Sequence, residues 1–208
     1  MARKNGFDCP WHATQVFSFM EFILFHCLLT LMHMHTTTIH PSYNARPFLT
    51  ICFILNLLLS IFVVIQTIAV TKSDPVYISL SDPAADLTFH CQICDKRIPD
   101  TVKHCQRCNK CIQGFDHHCV WLNNCIGKNN YRIFAHLLGL VFVQSILQAT
   151  YVAKFALSMT GWKSPALWVY FSLLCIKLVA IITLVSWNLY LYCVGLTTYE
   201  YMMKKEIS

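Results

Sequence analysis

Four long apolar runs, a lopsided distribution of basic residues and one polar segment dense in cysteine predict an all-α polytopic membrane protein, with a small cysteine-rich domain between its second and third spans. At 56% hydrophobic and 12% charged residues, the chain is too apolar for an ordinary globular protein. Bilayer crossing takes about 20 apolar residues, and such runs occur at Val16 to Met34, Phe48 to Val70, Tyr131 to Val152 and Ala166 to Val194. The first run is longer than a signal-peptide core of roughly 7 to 15 residues. No small-x-small site follows it, so it is expected to stay attached as a span. The organisation expected is residues 1–70 for the N-terminal tail and first two spans, 71–130 for the cysteine-rich domain, and 131–208 for the last two spans and a short C-terminal tail.

Orientation follows from charge. With four spans, both termini lie on the side of the cysteine-rich segment, together with Arg3, Lys4, Lys72, Lys96, Arg97, Lys103, Arg107, Lys110, Lys128, Arg132, Lys204 and Lys205. The opposite side carries only Arg46, Lys154 and Lys163, and Lys177 lies within the fourth run. Excess Lys and Arg marks the cytoplasmic face, so the termini and the cysteine segment are expected in the cytosol. The formal charge of +6 is then a matter of topology and contact with the lipid bilayer. The basic residues form no long run or stripe, which argues against nucleic acid as a partner.

The polar segment holds seven of the twelve cysteines. Cytosolic thiols stay reduced, so a dense pattern there points to metal or catalysis over disulfides. Cys91-x-x-Cys94 is followed by His104-Cys105-x-x-Cys108-x-x-Cys111, then by Asp116-His117-His118-Cys119 and Cys125. Two-residue gaps let a tight turn aim two thiolates at one tetrahedral zinc, and two such turns imply two zinc ions. Two closed sites need eight ligands, whereas the segment offers seven cysteines plus His90, His104, His117 and His118, so something is left over. Extended neighbours point to opposite sides, which sends His104 and Cys105 to different zincs and turns His117 and His118 different ways. An acid, a free imidazole and a spare thiol within four residues are what nucleophilic thiol chemistry requires. Spacing alone does not decide between that reading and a purely structural zinc module with a leftover cysteine.

The stretch Asp116-His117-His118-Cys119, with its continuation Val120-Trp121-Leu122-Asn123-Asn124-Cys125-Ile126-Gly127 and Asn129-Asn130-Tyr131-Arg132, resembles the DHHC family of protein S-acyltransferases (palmitoyltransferases). Thr197-Thr198-Tyr199-Glu200 is similar to the TTxE motif that follows the family's fourth span. The resemblance implies that Cys91, Cys94, His104 and Cys111 bind one structural zinc and that Cys105, Cys108, His118 and Cys125 bind the other. It makes Cys119 the nucleophile, His117 the general base and Asp116 its orienting partner, with Thr197, Thr198 and Glu200 in support. It also implies acyl-CoA as donor, palmitoyl-CoA in the family's usual chemistry, protein cysteines near the membrane as acceptors, and an endomembrane such as endoplasmic reticulum or Golgi.

The chemistry is consistent with the residues. A free thiol titrates near ~8.5, so only a few per cent is thiolate at neutral pH, and an adjacent imidazole raises the reactive fraction. A fatty chain gains roughly 0.8 kcal/mol per buried methylene, so its expected receptacle is a cavity among the spans. Phe115, Trp121 and Trp187 are expected as interfacial anchors. Two alternatives belong to other classes: a zinc-ring-type interaction protein, and a catalytically silent membrane scaffold or subunit.

Several positions depart from the family pattern. Val76 follows Asp74-Pro75 where the family has glycine, and Ile98 and Thr101 flank Pro99 and Asp100 where it has basic residues. The chain ends at Ser208, short of the longer tail of many members, and reduced stability or activity is expected from that. Lys177 is expected to snorkel to the far interface, and His33, His35 and His40 to occupy a hydrated interfacial loop. Cys9, Cys27, Cys52, Cys175 and Cys193 read as packing residues, with Cys193 a candidate for acylation. No internal repeat is apparent in the sequence.

Overall fold

The computed structural model describes residues 2–38, 46–76, 89–158 and 165–207. Four long helices, α1 (Ala13–Thr38), α2 (Arg46–Lys72), α3 (Tyr131–Ser158) and α4 (Pro165–Val194), cover the four apolar runs and extend most of them by a few residues. A short helix, α5 (Thr198–Ile207), follows α4. All four long helices are long and apolar enough to cross a membrane. At 26 to 30 residues they measure about 39 to 45 Å at ~1.5 Å per residue, against a hydrocarbon core of ~30 Å. The chain is an integral membrane protein. Pro47 and Pro165 sit in the first turns of α2 and α4, where a missing N–H costs nothing.

The chain divides into two compact units. One consists of Ser18–Ile65 and Leu137–Trp187, the middle portions of the four long helices. Its core is built from Phe25, Leu29, Leu49, Tyr151, Val152 and Leu174, among others. Leu24, Ile61, Ile176 and Val179 on the same helices are exposed, as lipid-facing positions are.

Within this unit three expectations are corrected. Lys177 does not stand alone: its Nζ lies 3.3 Å from Glu21 Oε1 and 4.8 Å from the centroid of the Phe25 ring. A carboxylate on a neighbouring span offers the ammonium a partner at once, whereas snorkelling would need an extended side chain and a free path to water. His33 and His35 belong to α1 instead of a loop. His33 stacks on Phe53 at 4.2 Å and meets the Tyr151 hydroxyl at 3.4 Å, so it is part of the packing. Cys52 is buried as expected, but Cys27 is exposed. His40 lies outside the described residues.

The other unit consists of Met1–Phe17, Gln66–His136 and Asn188–Ser208. Among the described residues it contains six short strands: β1 (Phe89–Cys91), β2 (Lys96–Ile98), β3 (Val102–Cys105), β4 (Lys110–Gln113), β5 (His117–Cys119) and β6 (Asn124–Ile126). They form three separate antiparallel hairpins, β1–β2, β3–β4 and β5–β6. In this unit Cys9 and Cys193 are exposed, which removes the packing reading for both.

The three hairpins are copies of one another at an interval of fourteen residues. Cys91 pairs with Lys96, Cys105 with Lys110 and Cys119 with Asn124, so the register recurs at each step. The turns recur too: Asp95, Asn109 and Asn123 all adopt left-handed backbone, with φ of 49°, 51° and 52°. Asp and Asn tolerate this region better than other residues with side chains. The repeat escapes a sequence reading because it keeps a few ligand and turn positions and varies everything between them.

Candidate active site

The hairpin geometry sorts the thiols. Cys91, Cys94, His104 and Cys111 form one group whose ligating atoms all lie within 4.8 Å of one another, and Cys105, Cys108, His118 and Cys125 form a second. In each group a C-x-x-C turn comes from one hairpin, while a histidine and a cysteine directly opposite each other come from the next: His104 with Cys111, and His118 with Cys125. Every member of the second group stands fourteen residues after its counterpart in the first.

Both groups fit zinc. With Zn–S near 2.3 Å and Zn–N near 2.05 Å, the sulfur–nitrogen edge of a tetrahedron is about 3.6 Å. His104 Nδ1 lies 3.7, 3.3 and 3.9 Å from the sulfurs of Cys91, Cys94 and Cys111. His118 Nδ1 lies 3.8, 3.4 and 3.6 Å from those of Cys105, Cys108 and Cys125. Charge points the same way. Hydrogen bonds from Cys108 and Cys125 hold the Cys105 thiol far below its ordinary range. Contact with Cys105 pushes Cys108 up to about 11, and contacts with both partners push Cys125 up as well. Sulfurs this close share one negative charge unless a cation compensates the others, and a divalent cation does so.

The third hairpin repeats the fold of a metal knuckle but lacks its chemistry. Cys119 occupies the position of Cys91 and Cys105, whereas Leu122 stands where Cys94 and Cys108 supply the second sulfur. A lone thiol cannot share in a closed Cys3His set, so Cys119 belongs to neither group.

Around Cys119 the structure assembles an acid and a base. Asp116 is buried, and its Oδ2 lies 2.5 Å from His117 Nδ1. Burial disfavours a charged His117, but hydrogen bonds to Asp116 and Cys119 more than offset this and raise it to about 9. Burial likewise works to raise Asp116, yet the His117 contact and donors from Thr198 bring it below the ordinary carboxylate range. Thr198 donates its backbone N–H to Asp116 Oδ1 at 2.7 Å and its hydroxyl to Oδ2 at 3.1 Å.

Local sequence explains how Thr198 reaches that position. Gly195, with φ of 68°, ends α4. Its N–H bonds Tyr192 O, and that of Leu196 bonds Leu191 O, which is a Schellman turn. Thr197 then caps α5: its hydroxyl accepts the Glu200 N–H at 3.1 Å, while Glu200 Oε2 accepts the Thr197 N–H at 2.8 Å. That reciprocal pair is a capping box. It leaves the Thr198 N–H at the helix start pointing to a carboxylate, where the helix dipole favours negative charge.

Several supporting residues were not singled out by sequence reasoning. Lys110 is buried, and its Nζ contacts Asp74 Oδ1 at 2.6 Å and Lys4 O at 2.9 Å. The Asp74-Pro75 turn thus has an electrostatic role that survives Val76. Asn124 Nδ2 bonds the carbonyls of Val70 at 2.9 Å and Ser73 at 2.8 Å, filling acceptors left open where α2 ends. Asn130 Nδ2 bonds Ser73 Oγ and Cys125 O. The signal available was a buried-type asparagine doublet beside cysteine ligands. Phe115, expected as an interfacial anchor, packs against the second donor group and lies edge-on to Tyr199 at 5.7 Å. Trp121 is exposed.

A comparison with curated proteins finds no match to the chain. The protein-family model for DHHC palmitoyltransferase matches residues 85–205. The matched span includes all three hairpins, the Asp116-His117-Cys119 constellation and the capping box at Thr197 and Glu200. With more than half of its length matched, this chain belongs to the DHHC palmitoyltransferase family.

Proposed function

We propose that the protein is an active S-acyltransferase that takes a fatty acyl group, in the first place palmitoyl, from acyl-CoA onto Cys119 and passes it to protein cysteines close to the membrane. The observation that carries this reading is the free thiol of the third knuckle, hydrogen-bonded to a histidine that a buried aspartate orients.

The residues have distinct roles in the two half-reactions. His117 accepts the Cys119 proton, and the thiolate attacks the thioester carbonyl of acyl-CoA. As the bond to the CoA sulfur breaks, the imidazolium returns a proton to the departing thiolate. In the second half, His117 takes the proton of a substrate cysteine, which attacks the acyl-Cys119 carbonyl and releases Cys119. Each step exchanges one thioester for another, so the donor alone supplies the driving force. Asp116 holds the imidazole in one orientation and favours its protonated form. Thr198 holds Asp116. The two donor groups, Cys91, Cys94, His104 and Cys111 with Cys105, Cys108, His118 and Cys125, would each hold a zinc that fixes the hairpins and, being fully ligated, leaves no place for substrate.

The twelve-to-three charge bias supports a cytosolic position for the termini and the cysteine-rich domain, and an endomembrane is proposed from the family resemblance alone. An impermeant label reaching the C-terminal tail of sealed vesicles only from the luminal side would reverse that assignment. The activity is tested by incubating purified protein with labelled acyl-CoA. Wild type should acquire a hydroxylamine-sensitive label, and Cys119→Ser should acquire none while still binding two zincs. Equal labelling of the two proteins would place the nucleophile elsewhere. No label on a wild type that binds both zincs would point to a silent scaffold.

A further inference from the structure

The three hairpins share a backbone but differ in what holds their turns. In the first two, the turn is fixed from within, because both cysteines of C-x-x-C converge on a donor group. The third turn, Val120 to Asn123, has no second sulfur. Unsupported, it would leave the residue after the nucleophile free to move, and acyl transfer tolerates little displacement.

The third turn is instead held from outside by residues near the N-terminus. Thr14 Oγ1 donates to Val120 O at 2.8 Å. Arg3 donates from its guanidinium to Asn123 Oδ1 at 2.7 Å, and its backbone N–H bonds Cys108 O at 3.0 Å. Asn123 Nδ2 donates in turn to Gly6 O at 3.3 Å and Pro10 O at 3.2 Å. Gln15 Nε2, buried, bonds Gly6 O at 3.1 Å and reaches Leu122 O at 3.5 Å. Gly6 lies so close to the turn that a Cβ there would come within 2.2 Å of Leu122 O. Only a glycine allows that approach.

Comparison across the repeat makes the difference specific. Asp95, Asn109 and Asn123 have the same left-handed backbone at the same turn position. Asp95 and Asn109 are exposed, whereas Asn123 is 2% exposed and gripped on both its oxygen and its nitrogen. The conformation of the turn does not require that burial, since the first two copies manage without it. The contacts to Asn123 serve something that only the third copy has, and what distinguishes the third copy is the free thiol of Cys119.

We propose that the segment Arg3 to Gln15 is a positioning strap that does for the Cys119 knuckle what ligation does for the other two, fixing its turn while leaving the thiol free to react. Arg3, Gly6 and Thr14 are its positioning residues. The inference rests on Cys119 being the nucleophile proposed above.

The test uses the full chain in detergent with the double variant Arg3→Ala/Thr14→Val, and with Thr14→Ser as the conservative control. Zinc content should stay at two, because no ligand is touched. Amide hydrogen exchange should quicken in residues 120–124, by about tenfold or more, and stay unchanged in the turns 91–95 and 105–109. Formation of acyl-Cys119 from labelled acyl-CoA should slow by roughly 10- to 100-fold, and Thr14→Ser should match wild type. Unchanged exchange at 120–124, a wild-type acylation rate, or loss of zinc in the double variant would each overturn the proposal, the last by making the strap part of the metal modules. If wild type itself forms no acyl-enzyme, the proposed function fails, and the exchange pattern still decides whether the strap holds the turn.

Discussion

The two donor groups have the same ligands in the same order, yet they differ in what depends on them. Cys91, Cys94, His104 and Cys111 close around the first knuckle, whose strands β1 and β2 are exposed at four of six positions. Cys105, Cys108, His118 and Cys125 close around a more buried centre, with Cys125 and the neighbouring Ile112 fully enclosed. Two of its ligands, His118 and Cys125, face each other on the hairpin that carries His117 and Cys119. A zinc in the first group would therefore support the domain through β3–β4, while one in the second would directly hold the residues to which the proposed function gives the chemistry. Under the proposed function, identical ligand sets would have unequal leverage on catalysis.

That difference is sharpest at the histidine pair. His118→Ala should have the largest effect of any single change: it removes a ligand and frees the hairpin that bears the nucleophile. We expect one zinc lost, early proteolysis of the domain, no measurable acyl-enzyme and no recovery at alkaline pH. His117→Ala should fold with both zincs and form acyl-enzyme more slowly by the ~10² to 10⁴ typical of a general base. Its deficit should narrow as pH rises toward the ordinary thiol range near ~8.5, because solvent then supplies thiolate without the imidazole. Exchange of these two phenotypes would exchange the two roles, and full activity in both variants would remove the catalytic reading.

Cys91→Ala tests the less central group. Zinc content should fall by one and the cysteine-rich domain should lose thermal stability, since an incomplete tetrahedron gives up much of the roughly 10 kcal/mol or more that a structural zinc contributes. The second group remains complete, so loss of activity should follow loss of fold instead of preceding it. Protein that has lost one zinc but is still folded at low temperature should retain some acylation. Should it retain both zincs, Cys91 is no ligand.

How much of this was legible in the sequence depended on whether the signal was local. Four spans could be read because length and apolarity act residue by residue, and the C-x-x-C turns could be read because two thiolates three positions apart have few other uses. Strand pairing was not legible: β1 to β6 are three or four residues long, too short for alternation to stand out, and their stability comes from knuckle turns and paired ligands. The fourteen-residue repeat became visible only once Asp95, Asn109 and Asn123 shared one backbone conformation. Partners distant in sequence stayed hidden for the same reason. Lys177 looked isolated because Glu21 is on another span, and Asn123 gave no sign that Arg3 would reach it. The Thr198 to Asp116 contact was anticipated only through the family resemblance, since 82 residues separate the two.

The smallest effect concerns that contact, and it can be divided by chemistry. Thr198→Ser keeps both the N–H and the hydroxyl, and should act like wild type. Thr198→Val keeps the N–H to Asp116 Oδ1 but loses the hydroxyl to Oδ2. Thr198→Pro loses both, yet it should preserve α5, because proline suits the first helical position and the extended cap residue before it. A hydrogen bond to a charged group is worth about 1.5 to 3 kcal/mol, and tenfold in rate corresponds to about 1.4 kcal/mol. If Thr198 acts on the proposed reaction through Asp116, part of that energy should reach the barrier: roughly tenfold or less for valine, and more for proline. Measured acyl-enzyme formation should rank serine first, valine second and proline last, with two zincs in all three. Wild-type rates in all three would mean that Thr198 does not orient Asp116, which His117 would then hold alone.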